Sequence, residues 1–169
     1  VDGKVVTGAE ALKMKGITPL VPEGKDALAI LSNSSVAMTY ALEGYKDAYQ
    51  VVKTTPVVFG LSLEGLNGNV APILPQTVGV RPFPGLANAA TSMRVALKGS
   101  YLWQPNADRP LQDPLSYRTT VYVLAEADNA LKDLKKVIDV QINSGDDNPA
   151  TILNASQDYR AESKQVANY

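Results

Sequence analysis

Apolar residues recur along this chain at steps of three and four, and Gly and Pro divide the runs into segments. The clearest run follows Pro114, where Leu124, Ala127, Leu131, Leu134 and Ile138 alternate steps of three and four with Val123, Ala130 and Val137 beside them. This spacing predicts a long helix from about Pro114 to Ile142 with its apolar face buried. Burying a side chain such as Leu131 or Ile138 is worth about 1.5–3 kcal/mol, so the stripe dominates the energetics of the segment. Glu126, Asp128, Lys132, Asp133, Lys135, Lys136 and Asp139 lie on its polar side, which reads as a solvated or intersubunit face. Leu86, Ala90, Met93 and Leu97 form another stripe, closed by Gly99. Lys25 to about Lys53 reads as mainly helical on Leu28, Leu31, Ser35, Met38 and Leu42, and Pro56 is expected to interrupt it. A further helical segment, Val57 to Leu66, ends at Asn67-Gly68. Thr7 to Lys15 is predicted as a short helix, with Thr7 as N-cap, Glu10 in the capping-box position and Gly16 as its stop. The run through Pro72, Pro75, Pro82 and Pro84 is expected to be a loop as far as Gly85. Ser144-Gly145-Asp146-Asp147-Asn148-Pro149 has the composition of a turn, which accounts for Asp146 and Asp147 without a metal ion. With no internal repeat and no low-complexity linker, residues 1–169 are expected to form a single, mostly α domain.

Composition narrows the chemistry. A chain of 169 residues with 45% hydrophobic content can bury a core of its own. Lys plus Arg at 16 against Asp plus Glu at 17, without a basic block, argues against a nucleic-acid partner. The absence of Cys and His excludes thiol nucleophiles, imidazole bases, disulfides and the usual zinc ligands. Any reaction must therefore use Tyr, Ser, Asn, Gln, Arg, Lys or carboxylates, and no metal is expected. The apolar stretches are too short to span a bilayer and the first residues do not resemble a signal peptide, so the expectation is a soluble, cytoplasmic protein with no membrane partner.

Periodicity cannot separate a helical enzyme from a helical scaffold, but the order of several segments does. Lys25-Asp26-Ala27-Leu28-Ala29-Ile30-Leu31, Leu63-Glu64-Gly65-Leu66-Asn67-Gly68, Arg81-Pro82-Phe83-Pro84-Gly85 and Leu97-Lys98-Gly99-Ser100 occur in that sequence. They are followed by Leu111-Gln112-Asp113-Pro114-Leu115-Ser116-Tyr117-Arg118 and Ile142-Asn143-Ser144-Gly145-Asp146-Asp147-Asn148-Pro149. Together these segments resemble the aromatic amino acid lyases, the histidine, phenylalanine and tyrosine ammonia-lyases. Each motif is weak alone; their joint order, spanning nearly the whole chain, is specific.

The resemblance implies a mostly α bundle of long, nearly parallel helices of the ammonia-lyase type, assembled as a homotetramer whose active sites draw on several subunits. It also implies a methylidene-imidazolone (MIO) cofactor made from an Ala-Ser-Gly triplet, whose methylene is the electrophile for elimination of ammonia from an aromatic amino acid or histidine. No Ala-Ser-Gly occurs here, and the nearest string is Ala155-Ser156-Gln157. The expectation is thus the central part of a larger lyase, with the cofactor and the mobile basic Tyr supplied by an N-terminal part of the same enzyme, and with this chain inactive by itself. The alternative is a non-catalytic helical oligomerisation domain derived from the family. The resemblance does not separate lyase from aminomutase.

Carried over residue by residue, the resemblance assigns Arg118 to the substrate carboxylate and Gln112 to hydrogen bonds with the cofactor ring or a neighbouring side chain. Without it, Arg118 reads as a structural salt-bridge partner and Gln112 as a cap for the long helix. Leu115 stands where the family has a second Tyr, and Leu can neither donate nor accept a hydrogen bond. Tyr117 can take that role only if the local backbone is irregular, since two residues along a helix is a different face. Ser32 aligns with a cofactor-binding Asn, and either Ser32 or the following Asn33 is expected to fill it. Asn168-Tyr169 resembles an Asn-Phe pair beside the substrate, which places Tyr169 at the site.

Overall fold

The computed structural model describes residues 1–146, together with the backbone of two short strands, β1 (Ala150–Thr151) and β2 (Val166–Ala167). Two compact units can be described, Val1–Ser34 with Gly145–Tyr169, and Ser35–Ser144.

In the first unit, α1 (Gly8–Met14) begins at a complete capping box: Thr7 N–H donates to Glu10 Oε2 (3.0 Å) and Glu10 N–H to Thr7 Oγ1 (3.3 Å). The hydrogen bond from the Thr7 backbone holds the Glu10 carboxyl below its usual pKa. Gly16 ends the helix in the left-handed region (φ 65°), and Ile17 N–H reaches back to the Leu12 carbonyl at 2.9 Å. Neither α1 nor α2 (Asp26–Leu31) has a buried residue. The helical run expected from Lys25 breaks at Ser32, the C-cap of α2. Strands β1 and β2 pair antiparallel, Ala150 opposite Ala167 and Thr151 opposite Val166.

The second unit is built on three helices, α3 (Ser35–Leu66), α5 (Leu86–Ala96) and α6 (Leu115–Gln141). Pro56 does not interrupt α3 as expected. A mid-helix proline removes one N–H donor and crowds the preceding turn, a cost of about 3 kcal/mol. Here the Thr54 and Thr55 hydroxyls donate to the Gln50 and Val51 carbonyls (2.9 and 2.8 Å), and the proline ring is buried with Phe59, Gly60 and Leu63. Packing thus overrides propensity. Asn67 then adopts φ 54°, a conformation Asn tolerates, and α3 stops where the sequence predicts.

The proline-rich run is likewise not all loop. Pro72 and Pro75 occupy the first turns of a 3-10 turn (Ala71–Ile73) and of α4 (Pro75–Gly79), where a missing N–H costs nothing. Ile73 and Val78 from these turns enter the core with Phe59, Leu63, Leu97, Leu102, Val121 and Leu124. The predicted stripe Leu86, Ala90, Met93 and Leu97 is wholly buried. The stripe on α6 is half realised: Leu124, Leu131 and Ile138 are buried, whereas Leu134 and the flanking Val123 and Val137 are exposed. The buried face turns instead toward Val121 and Ala125. Asp128 pairs with Lys132 and Lys135 with Asp139 along the solvated side, as expected.

Candidate active site

The loop leading into α6 and the first turns of that helix carry Gln112, Tyr117 and Arg118. Pro114 is the N-cap, with a φ of −51° and no side-chain capping bond, so Gln112 does not cap the helix. Tyr117 N–H and Arg118 N–H both reach the Pro114 carbonyl (3.0 and 3.3 Å), and α6 is helical from Leu115 onward. Consecutive helical residues point about 100° apart, and Tyr117 and Arg118 accordingly enter different cavities.

Arg118 lines a cavity of about 270 Å³ with Gln112, Asn69, Thr77 and Tyr122. Its Nε–H donates to the main-chain carbonyl of Asp113 at 2.9 Å. Among the described residues no carboxylate forms an ion pair with Arg118, so the structural salt bridge considered from the sequence is not present there. The guanidinium is half-buried with both terminal nitrogens available, an arrangement suited to an incoming carboxylate. Gln112 brings to the same space an amide that can donate and accept. A neighbouring cation is differently engaged: Arg81 stacks on Phe83 and Tyr122, its Cζ 5.1 and 5.8 Å from the ring centroids.

Tyr117 faces α3. Its hydroxyl shares a 2.7 Å hydrogen bond with Ser62 Oγ, and its ring lies against Phe59 with centroids 6.4 Å apart. The backbone irregularity that would bring it round to Gln112 and Arg118 is not found. Leu115 is 63% exposed and contributes no polar group.

Ser32 and Asn33 belong to the other unit. Ser32 N–H closes α2 on the Leu28 carbonyl (2.7 Å), and Asn33 Nδ2 donates to the Ala29 and Ile30 carbonyls, capping the helix end. Asp146, assigned to a turn, accepts the Ser34 N–H at 2.7 Å, bridging the two ends of that unit. Tyr169 and Ala155-Ser156-Gln157 lie outside the described residues.

Four polar residues of the Arg118 cavity have no role assigned from the sequence: Asn69, Thr77, Asp113 and Tyr122. Asp113 lies inside the quoted Gln-Asp-Pro string, and Tyr122 is one helical turn beyond Arg118, so both carried a positional signal. Asn69 carried only its place after the Asn67-Gly68 stop.

The chain is similar to known proteins along nearly its whole length. A histidine ammonia-lyase of Sorangium cellulosum is 30% identical over 162 residues, 95% of this chain and 32% of that protein. Histidine ammonia-lyase 2 of Fusobacterium nucleatum is 29% identical over 147 residues, 87% of this chain and 29% of its own length. Among solved structures, a phenylalanine aminomutase of Pantoea agglomerans superposes with a TM-score of 0.80 at 25% identity, covering 99% of this chain and 34% of that one. The ergothioneine-degrading ergothionase of Treponema denticola gives 0.78 at 26% identity, covering 99% and 32%. The chain thus spans about a third of the length of the curated relatives it matches. The sequence pattern of the aromatic amino acid lyases matches residues 1–168, and with the helical architecture shared by both solved structures it shows that the chain belongs to the aromatic amino acid lyase family.

Proposed function

We propose that this chain is the central part of an ammonia-lyase that acts on an aromatic amino acid, histidine or a histidine-derived substrate, and that Arg118 binds the substrate carboxylate. One observation carries this reading: the Arg118 guanidinium is fixed through Nε to a main-chain carbonyl, makes no ion pair among the described residues, and opens into a cavity shared with Gln112. In that cavity the bidentate donor edge of Arg118 recognises a carboxylate, and Gln112 donates to and accepts from a neutral polar partner. The amide of Gln112 and the hydroxyls of Thr77 and Tyr122 form a neutral donor and acceptor set that fits a ring bearing carbonyl oxygens, as methylidene-imidazolone does. When bound, that group supplies an electrophilic methylene; its Ala-Ser-Gly precursor lies outside this chain's sequence. On their resemblance to the family's motifs, Ser32 or Asn33 is proposed as a cofactor contact and Tyr169 as a substrate contact of the assembled enzyme. Tyr117 is assigned to packing rather than to chemistry, on its bond to Ser62.

The partners are the N-terminal part of the same enzyme and further copies, in a tetramer. Exposed Val123, Val137 and Val140 along α6 support assembly through that helix. No helix among the described residues is long and apolar enough to cross a membrane, in keeping with a cytoplasmic enzyme.

The test is direct. Incubated alone with histidine, phenylalanine or tyrosine, the chain is expected to release no ammonia and to form no ultraviolet-absorbing unsaturated acid. Joined to an N-terminal part bearing Ala-Ser-Gly, it is expected to do both. Turnover by the isolated chain would place the electrophile within these residues, whereas an assembled but inactive protein would favour a non-catalytic oligomerisation domain. Sedimentation of the chain as a stable, folded monomer at micromolar concentration would overturn the assembly.

A further inference from the structure

Asp113 is the one buried charged residue among those described, at 5% exposure. A carboxylate so far removed from water must be hydrogen-bonded, and its Oδ2 accepts the Asn69 N–H at 2.7 Å. The close approach depends on Gly68: a Cβ there would stand 3.1 Å from Asp113 Oδ2 and 2.4 Å from Leu63 Cδ1. The side chain of Asp113 is thereby tied to the end of α3. Its main chain is constrained from the other side, because a residue that precedes proline is confined to extended conformations. With the side chain anchored and the backbone restricted by Pro114, the direction of the Asp113 carbonyl is set. That carbonyl accepts the Arg118 Nε–H at 2.9 Å, and Nε defines the plane of the guanidinium.

We infer that Asp113 is a positioning residue for carboxylate recognition: anchored on the Asn69 amide, it aims the Arg118 guanidinium through its own main-chain carbonyl. The inference rests on the proposed role of Arg118 and adds a mechanism to it. Asp113 acts here as a hydrogen-bond acceptor and an anchor, not as a charge. Its negative charge opposes an incoming carboxylate, so neutralising it without losing the acceptor should leave binding intact or tighten it.

The experiment measures the affinity of the complete enzyme for an amine-free carboxylate probe, 3-phenylpropanoate or 3-(imidazol-4-yl)propanoate, whichever the parent enzyme binds, alongside kcat and KM. Asp113→Asn keeps an oxygen for the Asn69 amide and is expected to bind the probe as the parent does or more tightly. Asp113→Ala is expected to weaken binding about tenfold, the scale of one misdirected hydrogen bond to a charged group. The loss should fall on KM and Kd rather than on kcat. Should the alanine variant not fold, Asp113→Glu takes its place: it keeps charge and acceptor but displaces the anchor by a methylene, and is expected to weaken the probe several-fold. In an Arg118→Lys background, which lacks Nε, the Asp113 substitutions should have no further effect on Kd. Folded Asp113→Ala or Asp113→Glu with parental affinity, beside a weakened Arg118→Lys, would overturn the positioning role and leave that of Arg118 standing. Parental affinity in Arg118→Lys itself would remove both. An Asp113→Asn variant as weak as Asp113→Ala would show that the charge matters, and would also overturn the inference.

Discussion

Tyr117 and Arg118 are neighbours in sequence and end in two cavities of opposite character. The Tyr117 cavity is the larger, about 440 Å³, bordered by Val51, Val58 and Phe59. Most of its hydroxyls are occupied: Tyr117 with Ser62, Thr54 with the Gln50 carbonyl, Thr55 with that of Val51 and Thr120 with that of Ser116. The Arg118 cavity is smaller, but it contains a cation whose terminal donors have no partner among the described residues. Volume therefore does not mark the site; unused hydrogen-bonding capacity on a fixed charge does. A cavity whose polar groups already bond one another holds an apolar neighbour as readily as a ligand, whereas a half-buried guanidinium fixed at one nitrogen is stabilised by an anion.

The difference can be sharpened by substitution. The largest effect is expected from Arg118→Lys, which keeps the charge and loses the paired donors. In the assembled enzyme kcat/KM should fall about ten- to a hundredfold, equivalent to roughly 1.5–3 kcal/mol, with thermal stability unchanged. A lowered melting temperature with unaltered kinetics would make Arg118 structural and erase the contrast. Tyr117→Phe is expected to do the reverse. Losing the bond to Ser62 should cost about 1 kcal/mol of stability in denaturant unfolding, while kcat/KM stays at the parental value. A collapse of kcat in that variant would return Tyr117 to the chemistry.

The smallest effect is expected at α1, which belongs to neither cavity. Because the Glu10 pKa is lowered on folding, its contribution is complete above the ordinary carboxylate range and is lost as pH falls through the depressed value. Amide signals of Glu10 and Thr7 should report fraying of α1 over that acid window, and Glu10→Gln, which removes the titrating group, should abolish the titration. Carboxylate affinity should not follow it. A parallel loss of affinity would tie α1 to the site.

The sequence foretold those elements whose stability is local. The capping box at Thr7, the stop at Asn67 and the stripe from Leu86 to Leu97 all depend on residues within a few positions of one another. It misjudged those settled by distant packing: Pro56 stays helical because Phe59 and Leu63 anchor the turn that follows, and the buried face of α6 is rotated toward Val121 and Ala125 by what α3 and α5 present to it. The candidate site follows the same division. Gln112 and Arg118 were legible as a motif, and they share a cavity. The separation of Tyr117 from them follows from helical geometry that the spacing implied, but Ser62, its partner, lies 55 residues away and gave no local signal.

Pro56 divides α3 in a second sense. Every buried residue of that helix lies at or beyond the proline, and none of residues 35–55 is buried. The helix is 32 residues long, about 48 Å at the usual rise per residue. Val52 is left without the amide donor that would close its turn, so unwinding that begins at Ser35 meets a missing rung before it meets the core. In an unassembled chain, backbone amides ahead of the proline should exchange with solvent through local opening, and those from Phe59 to Leu63 only when the whole unit unfolds.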